Sequence, residues 1–344
     1  MNLSVDSSTL SRGYDIVICR GAINDISKYI SDDRRTMIIT DSGVPKAYLN
    51  ALIGQLSHAT SYVFPMGEKS KNAENYISIL KALAKNGFTR GDRIIALGGG
   101  VVGDLSGFVA ATYMRGIQFI NIPTTLLSMV DSSIGGKTAI DLDGIKNIVG
   151  SFYPPHLVII DTDTLKTLDD RQFKAGYAEA VKMAACQNKD LFERLEQING
   201  DDIRESIDMI VEGSLKIKRD VVQKDPTEKG LRRVLNFGHT VGHAIESVYK
   251  GELLHGECVA IGMLAMCDGE ARDRIFALLS SMGLKTSINV SKEELAKYIL
   301  LDKKNDAGII NTVWVDKIGS FVFKKESVDD ILSHTSFTLQ KEST

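Results

Sequence analysis

Three of the chain's six histidines lie in one short segment and could bind a metal ion. His239 and His243 are four residues apart, so on a helix they share a face, a spacing that suits metal ligation. His255 follows, and Glu179 is a lone carboxylate in an otherwise apolar helical segment. Two imidazoles, a carboxylate and an open position suit a catalytic divalent metal. The alternative is a pair of histidines satisfied by backbone and carboxylate partners, and spacing alone leaves open which two histidines bind.

A run of basic residues precedes these histidines: Lys218, Arg219, Lys224, Arg232 and Arg233. Such a run is often the solvated face of a helix. Arg232 lies seven residues before His239, about two turns if the helix extends back that far, so their side chains would share a face. We therefore expect Arg232, rather than Arg233, to bind an anionic group.

A glycine run, Gly98–Gly100, follows an apolar strand and opens an apolar helical segment. Backbone N–H groups and a helix N-terminus in this order bind phosphate in many α/β proteins. Asp104 lies just beyond the glycines. The run is not GxGxxG, so the usual dinucleotide fingerprint is absent, and a plain tight turn is the alternative.

Two other positions fit a nucleotide beside this loop. Asp41 ends an earlier predicted strand, where an acidic residue often receives a ribose hydroxyl, although a helix N-cap is an equally good interpretation. Thr124 and Thr125 would hydrogen-bond the nucleotide or cap a turn after Pro123.

Arg115, Lys137 and Lys146 add positive charge to the same block of sequence. The glycine run would bind a pyrophosphate through its backbone N–H groups, whereas these cationic side chains would bind a second anionic ligand. The block therefore indicates a nucleotide cofactor beside an anionic substrate.

Composition narrows the class of protein. The 344 residues are long enough for two domains, and 43% hydrophobic and 25% charged residues are ordinary for a globular protein. A net charge of −3 argues against nucleic acid or an acidic membrane as the main partner. The four cysteines form no CxxC pair, which indicates reduced thiols in a cytoplasmic protein. We recognise neither a signal peptide nor an apolar run of membrane-spanning length.

The first half of the chain alternates strand and helix signals. Helical spacing covers 74–84, and the predicted strands are 14–19, 36–40, 62–64, 93–97, 118–122 and 157–160. Such alternation predicts a mostly parallel sheet. We assign residues 1–163 to an α/β, Rossmann-like nucleotide-binding domain.

The second half has mainly helical periodicity, so residues 164–344 are predicted to be a mainly α-helical domain that binds metal and substrate. The predicted helices are 177–185, 203–222, 234–249 and 257–279, with a strand pair near 309–315 and 319–323. Because no Gly/Ser-rich linker separates the halves, we expect the domains to pack together around a cleft.

The order and spacing of these motifs resemble the 3-dehydroquinate synthase family of sugar-phosphate cyclases over nearly the whole chain. The matching segments are PMGEKSK at 65–71, GGGVVGDLSGFVAATYMRG at 98–116, PTTLLSMVDSSIGGKTAID at 123–141, GIKNIVGSFYPP at 144–155, AGYAEAVK at 175–182, DPTEKGLRRVLNFGHTVGHAIE at 225–246, LLHGECVAIGM at 253–263 and LDKK at 301–304. The resemblance implies an NAD-binding domain, a helical domain, zinc or cobalt, and a homodimer.

The resemblance also implies a role for individual residues. Glu179, His239 and His255 would be the metal ligands. His243 would then contact the substrate instead of the metal. The implied NAD contacts are Asp41, Glu68, Lys71, Gly99, Gly100, Val101, Val102, Gly103, Asp104, Thr124, Thr125, Lys137, Lys146, Thr164, Leu165, Lys166 and Thr167. The implied catalytic and substrate contacts are Arg115, Asp131, Lys137, Lys146, Asn147, Lys182, Lys218, Glu228, Arg232, Asn236, His243 and one of Lys303 or Lys304. Gly43 and Asp141 depart from the family pattern, in which Asn is common at both of these positions.

The implied reaction converts 3-deoxy-D-arabino-heptulosonate 7-phosphate to 3-dehydroquinate and phosphate, a step of the shikimate pathway. Hydride leaves C5 to NAD and later returns, so NAD is recycled. The alternatives are a cyclase making 2-deoxy-scyllo-inosose or an epi-valiolone, a metal-dependent polyol or glycerol-phosphate dehydrogenase, and a silent NAD-binding regulator. Lys218, Arg232 and Asn236 favour a substrate that carries a carboxylate as well as a phosphate.

Overall fold

A computed structural model describes residues 1–5, 13–198, 200–302 and 309–335. The chain divides into two compact units. The first comprises Met1–Asp169 with Val222–Thr227, and the second comprises Asp170–Val221 with Glu228–Thr344. The observed boundary, between residues 169 and 170, thus lies six residues after the predicted boundary between residues 163 and 164. The short segment Val222–Thr227 also belongs to the first unit, although the prediction placed it in the second.

The first unit is built on a twisted sheet. Its strands are β1 (Asn2–Val5), β2 (Tyr14–Ile18), β3 (Thr36–Asp41), β4 (Ala59–Phe64), β5 (Arg93–Gly98), β6 (Gln118–Pro123), β7 (Lys137–Leu142), β8 (Ile145–Phe152) and β9 (Leu157–Ile160). Within the described residues, seven of them form one sheet in the order β1-β2-β9-β6-β5-β3-β4. All pairs in it are parallel except β1 with β2. The remaining pair, β7 and β8, forms an antiparallel hairpin.

Both faces of the sheet are covered, which explains the continuous apolar runs of its strands. Alternate residues of β5 point to opposite sides, so Ile94 belongs to one buried cluster and Ile95 to the other. The helices of this unit are α1 (Lys46–Ile53), α2 (Ala73–Lys85) and α3 (Gly100–Thr112). Helices α2 and α3 pack on the Ile94 side, and α1 packs on the Ile95 side. Each such isoleucine contributes on the order of 1.5–3 kcal/mol through burial.

The second unit is mainly helical, and the predicted α/β fold class is confirmed. The helices are α4 (Asp170–Gln187), α5 (Lys189–Gln197), α6 (Ile207–Lys224), α7 (His239–Tyr249), α8 (His255–Ala265), α9 (Gly269–Ser281), α10 (Lys292–Asp302) and α11 (Val328–His334). Strands β10 (Ile309–Trp314) and β11 (Val322–Ser327) form an antiparallel pair near the predicted one.

Two helix predictions are wrong in their extent. The segment 234–249 is not one helix, because Gly238 takes a left-handed conformation (φ 76°) between a 3₁₀ turn at Leu231–Asn236 and α7. The segment 257–279 is also interrupted, because Asp268 caps a new helix, α9, through its own side chain. Within the described residues, no helix combines the length and the apolar composition that crossing a bilayer requires.

Candidate active site

A buried carboxylate and three imidazoles meet in the second unit. Glu179 lies in the middle of α4 and is 1% exposed. Its Oε1 is 3.9 Å from Nε2 of His239 and 3.6 Å from Nε2 of His255. The nitrogens that His239, His243 and His255 offer to a metal all lie within 4.8 Å of one another. The structure therefore brings together both the pair favoured by spacing and the three ligands implied by the family resemblance.

The close crossing of α7 and α8 places the histidines together. A Cβ on Gly262 of α8 would lie 2.0 Å from the carbonyl oxygen of Gly238 and 2.8 Å from the backbone nitrogen of Gly242. No real side chain tolerates such distances, so the two helices approach this closely because Gly262 has no side chain. His239 and His243 of α7 consequently face His255 at the start of α8, with ring centroids 5.2 and 5.7 Å away.

The protonation of His239 suits metal binding. Its Nδ1 is 3.1 Å from the carbonyl oxygen of Phe237, so we assign the ring proton to Nδ1 and leave Nε2 free to accept a metal. Burial and the nearby Lys182 cation lower the pKa of His239 well below its ordinary value, which keeps the imidazole neutral. A neutral imidazole is the form that coordinates a cation.

His255 is held between two carboxylates. Its Nδ1 is 3.1 Å from Oε2 of Glu246, and its Nε2 faces Glu179. Burial alone would lower the pKa of His255, but the carboxylates of Glu179 and Glu246 raise it to about 9, so a metal ion that binds here would displace the imidazole proton. The sequence analysis missed Glu246, although its position seven residues after His239 on the same helix was a usable signal.

Glu179 fits a divalent cation. Neither carboxylate oxygen has a hydrogen bond of ordinary geometry within the described residues, although Lys182 forms an ion pair with Oε2. Burial would raise the pKa of Glu179, but Lys182 and the two histidines lower it well below its ordinary value. A buried anionic carboxylate beside imidazole nitrogens is a donor set that zinc and related divalent metals prefer.

Cationic side chains are buried in the same unit. Lys182 is 1% exposed, Lys218 in α6 is 4% exposed, and Arg232 is 3% exposed. Arg232 lies in the 3₁₀ turn before α7, so the helical spacing by which we related it to His239 does not apply. In that same turn, Asn236 donates a hydrogen bond of 2.9 Å to Glu228, a residue in a left-handed conformation (φ 60°).

The predicted phosphate loop lies in the first unit at the carboxyl ends of parallel strands. Gly98 ends β5, Gly99 is the N-cap of α3, and Gly100–Asp104 form the first turns of that helix. No side chain caps its first N–H groups within the described residues. Chain order along the sheet reverses at β3, which has β4 on one side and β5 on the other. Nucleotides bind at such reversal points in open parallel sheets, and uncapped N–H groups suit a pyrophosphate.

The other residues predicted to contact the nucleotide lie at the ends of strands β3 and β6 and in the turn that follows β9. Asp41 ends β3 and accepts the N–H of Gly43 at 2.8 Å, while Pro45 is the N-cap of α1, so the helix-cap interpretation of Asp41 is wrong. Thr124 donates its N–H to the carbonyl of Gly98, and Thr125 Oγ1 accepts the N–H of Ser128. Residues Thr164 to Thr167, with Leu165 and Lys166 between them, form a 3₁₀ turn.

Lys71 links several acidic groups in the first unit. Its Nζ is 2.6 Å from Glu68, 3.4 Å from Asp104 and 3.8 Å from Asp141. Burial raises the pKa of Asp104 to about 6, against the opposing effect of Lys71. Burial alone would lower the pKa of Lys71, but the carboxylates raise it, so the lysine remains charged.

Predicted anion contacts of the first unit lie on its hairpin and turns. Lys137 begins β7, and Lys146 and Asn147 lie in β8. Arg115 has a left-handed backbone (φ 66°), and Asp131 lies in a short π-helical turn at Ser128–Ser132. Lys303 and Lys304 lie outside the described residues.

Comparison with known proteins identifies relatives over most of the chain. Residues 61–175 match the family model described as 3-dehydroquinate synthase N-terminal, and residues 176–305 match the one described as 3-dehydroquinate synthase C-terminal. The 3-dehydroquinate synthase of Latilactobacillus sakei subsp. sakei is 42% identical over 331 residues, covering 92% of this chain and 93% of that protein. The one from Clostridium perfringens is 49% identical over 265 residues, covering 74% and 76%.

Solved structures of other cyclases share the fold. A 2-deoxy-scyllo-inosose synthase complexed with carbaglucose-6-phosphate, NAD⁺ and Co²⁺ superposes with a TM-score of 0.89 at 25% identity, covering 98% of this chain and all of that one. A 2-epi-5-epi-valiolone synthase from Streptomyces hygroscopicus subsp. jinggangensis, with NAD⁺ and Zn²⁺ bound, has a TM-score of 0.88 at 25% identity, covering 96% and 97%.

Identity to the curated dehydroquinate synthases is thus well above identity to the other cyclases, and it extends through both family models and through the segment that holds Glu179 and the three histidines. The chain belongs to the 3-dehydroquinate synthase family.

Proposed function

We propose that this protein is a 3-dehydroquinate synthase, which converts 3-deoxy-D-arabino-heptulosonate 7-phosphate to 3-dehydroquinate and phosphate. The observation that carries the proposal is the buried cluster of Glu179, His239, His243 and His255, in a chain 42% identical to a curated dehydroquinate synthase over 331 residues. This cluster supplies a carboxylate and imidazole nitrogens, a donor set that suits a catalytic divalent metal.

We assign Glu179, His239 and His255 as the residues that hold a divalent ion, zinc or cobalt. When bound, such an ion supplies Lewis-acid stabilisation of negative charge that develops on a substrate oxygen. Phe237 and Glu246 orient the two imidazoles through Nδ1. His243 lies in the same cluster, and we assign it to the substrate rather than to the metal.

We assign the loop at Gly99–Asp104, together with Asp41, Glu68 and Lys71, to NAD. When bound, NAD supplies a reversible hydride acceptor for C5 of the substrate, so the protein consumes none of it. The uncapped N–H groups at the start of α3 would hold the pyrophosphate, and Asp41 would accept a hydrogen bond from a ribose hydroxyl.

Buried cations hold the substrate's anionic groups. Arg232 can grip a carboxylate with two parallel hydrogen bonds, which a lysine cannot do. Lys182 contacts Glu179 and carries positive charge beside the proposed metal site. Fixing one substrate through several steps is chiefly a positioning problem, and charged contacts of this kind serve it. A homodimer in the cytoplasm completes the proposal, on the strength of the family resemblance.

The direct test is phosphate release by the purified protein supplied with NAD and Zn²⁺. We expect release from the heptulosonate phosphate and none from glucose 6-phosphate or sedoheptulose 7-phosphate. The structural similarity to 2-deoxy-scyllo-inosose and 2-epi-5-epi-valiolone synthases makes these two sugars the informative alternatives. Release from either of them, with none from the heptulosonate phosphate, would assign the protein to another cyclase activity.

A further inference from the structure

The hairpin that carries Lys146 and Asn147 contains an unusual backbone. β7 and β8 are joined by a two-residue turn at Asp143 and Gly144, and their pairing is irregular between Ile140 and Leu142. Asn147 lies in a left-handed conformation (φ 54°) inside β8. A residue with a side chain rarely keeps this conformation in a strand unless neighbouring groups hold it there.

Asp141 holds this backbone from the opposite strand. Its Oδ1 accepts the N–H of Asn147 at 2.8 Å, across the irregular part of the hairpin. The N–H of Asp141 itself donates to the carbonyl oxygen of Lys71 at 2.8 Å. The Asp141 side chain is 19% exposed, whereas Asn147 lies on the largely exposed strand β8, so the carboxylate supplies this amide with a fixed partner at the surface of the hairpin.

Lys71 continues the contacts toward the proposed nucleotide site. Its ammonium lies 3.8 Å from Oδ1 of Asp141, and it also contacts Glu68 and Asp104. One buried lysine therefore joins two residues assigned to NAD with the carboxylate that fixes Asn147. All these residues belong to the first unit.

The geometry points to Asp141 as a positioning residue, which holds Asn147 and the adjacent Lys146 in place for the anionic substrate and ties them to the Lys71 cluster. This inference rests on the proposed function for the roles of Lys146 and Asn147. An asparagine at this position would accept the same N–H through its amide oxygen.

The kinetic test compares three single variants. Asp141→Ala should lower kcat/KM for the heptulosonate phosphate about 10- to 100-fold, because it frees the backbone beside two substrate contacts. Asp141→Asn should restore most of this loss. Asp143→Asn, an exposed change in the same hairpin, should behave as the wild type. If Asp141→Ala does not fold, Asp141→Ser, whose side chain is too short to reach Asn147, replaces it.

Hydrogen exchange at the Asn147 amide provides a readout that does not depend on activity. Exchange should be faster in Asp141→Ala and close to wild type in Asp141→Asn. Unchanged exchange in the alanine variant, wild-type kinetics despite faster exchange, or equal impairment of the alanine and asparagine variants would each overturn the inference. A wild-type protein inert toward the heptulosonate phosphate would overturn the proposed function instead, while exchange would still decide whether Asp141 holds Asn147.

Discussion

Arg232 is the residue on which the proposed substrate class depends most. A guanidinium is costly to bury, and this one is 3% exposed. Lys218 and Lys182 are also buried in this unit, and Lys182 forms an ion pair with Glu179. We expect a substrate with both a carboxylate and a phosphate to engage more of these cations than a substrate with phosphate alone.

Replacing Arg232 tests this assignment. Arg232→Ala should cost about 2–4 kcal/mol of transition-state binding, which corresponds to roughly 30- to 1000-fold in kcat/KM. Arg232→Lys should recover only part of the loss, because lysine cannot form two parallel hydrogen bonds to a carboxylate. NAD affinity, measured by titration of each variant, should hardly change. Normal kcat/KM with weakened NAD binding would remove the carboxylate assignment and favour the other cyclases.

Glu246 is predicted to set the metal affinity through His255. Removing a carboxylate that orients a metal-bound imidazole typically weakens binding about 10- to 100-fold, so Glu246→Ala should weaken Zn²⁺ binding by that amount, with Glu246→Gln intermediate. Competition with a chelator measures the binding constant, and His239→Ala should abolish binding. The exposed Glu252→Ala is the matched control. Wild-type affinity in Glu246→Ala would show that this contact does not orient the ligand, and full occupancy in His239→Ala would return His243 as a ligand.

At the scale of elements, we expect the glycine contact where α8 crosses the start of α7 to determine whether the proposed metal site can form. Gly262→Ala would place a Cβ 2.0 Å from the Gly238 carbonyl and must push the helices apart. We expect a loss of about 1–3 kcal/mol in the free energy of unfolding, from denaturant titration, together with weaker Zn²⁺ binding.

Gly91→Ala is the control for that change, because the nearest atom to its Cβ would be Thr89 Oγ1 at an ordinary 3.7 Å. Its unfolding free energy should change by less than about 1 kcal/mol. Unchanged stability and metal affinity in Gly262→Ala would mean that the close approach of α7 and α8 is not what brings the histidines together.

The predictability of the elements follows from how completely they are buried. The strands β3, β5, β6 and β9 were recognised because apolar residues fill both of their faces. β1 and the β7–β8 hairpin were missed, since β1 buries only alternate residues and most residues of β8 are exposed. The start of α7 was misplaced because apolar spacing continues through Phe237 and Gly238, and only the backbone conformation of Gly238 ends the preceding turn.

The candidate site was predicted by residue type more than by arrangement. Glu179 and the histidines were recognised as candidate ligands because polar side chains are seldom buried in apolar helices without a partner or a ligand. Spacing could not choose among His239, His243 and His255, because His255 reaches the cluster through a helix crossing that no local pattern encodes. Asp141 was noticed only as a departure from the family pattern, since its partners Lys71 and Asn147 are distant in sequence or in a separate strand.

At the scale of the whole molecule, the proposed reaction requires one chain to bind NAD, a divalent metal and a doubly anionic sugar acid, and to return the cofactor unchanged. A metal- and NAD-dependent dehydrogenase, one of the alternatives raised by the sequence, would instead release NADH at every turnover. The number of product molecules formed per NAD therefore distinguishes a cyclase from a dehydrogenase more directly than the affinity for NAD does.

The decisive measurement is the yield of 3-dehydroquinate and phosphate when the protein, with Zn²⁺ and a large excess of heptulosonate phosphate, receives NAD in an amount below that of the substrate. We expect many molecules of each product for every NAD, in equal amounts, with no accumulation of NADH in the absorbance record. Formation of an oxidised sugar acid in an amount no greater than the added NAD, with a matching rise in NADH and no release of phosphate, would contradict this expectation and identify a simple dehydrogenase.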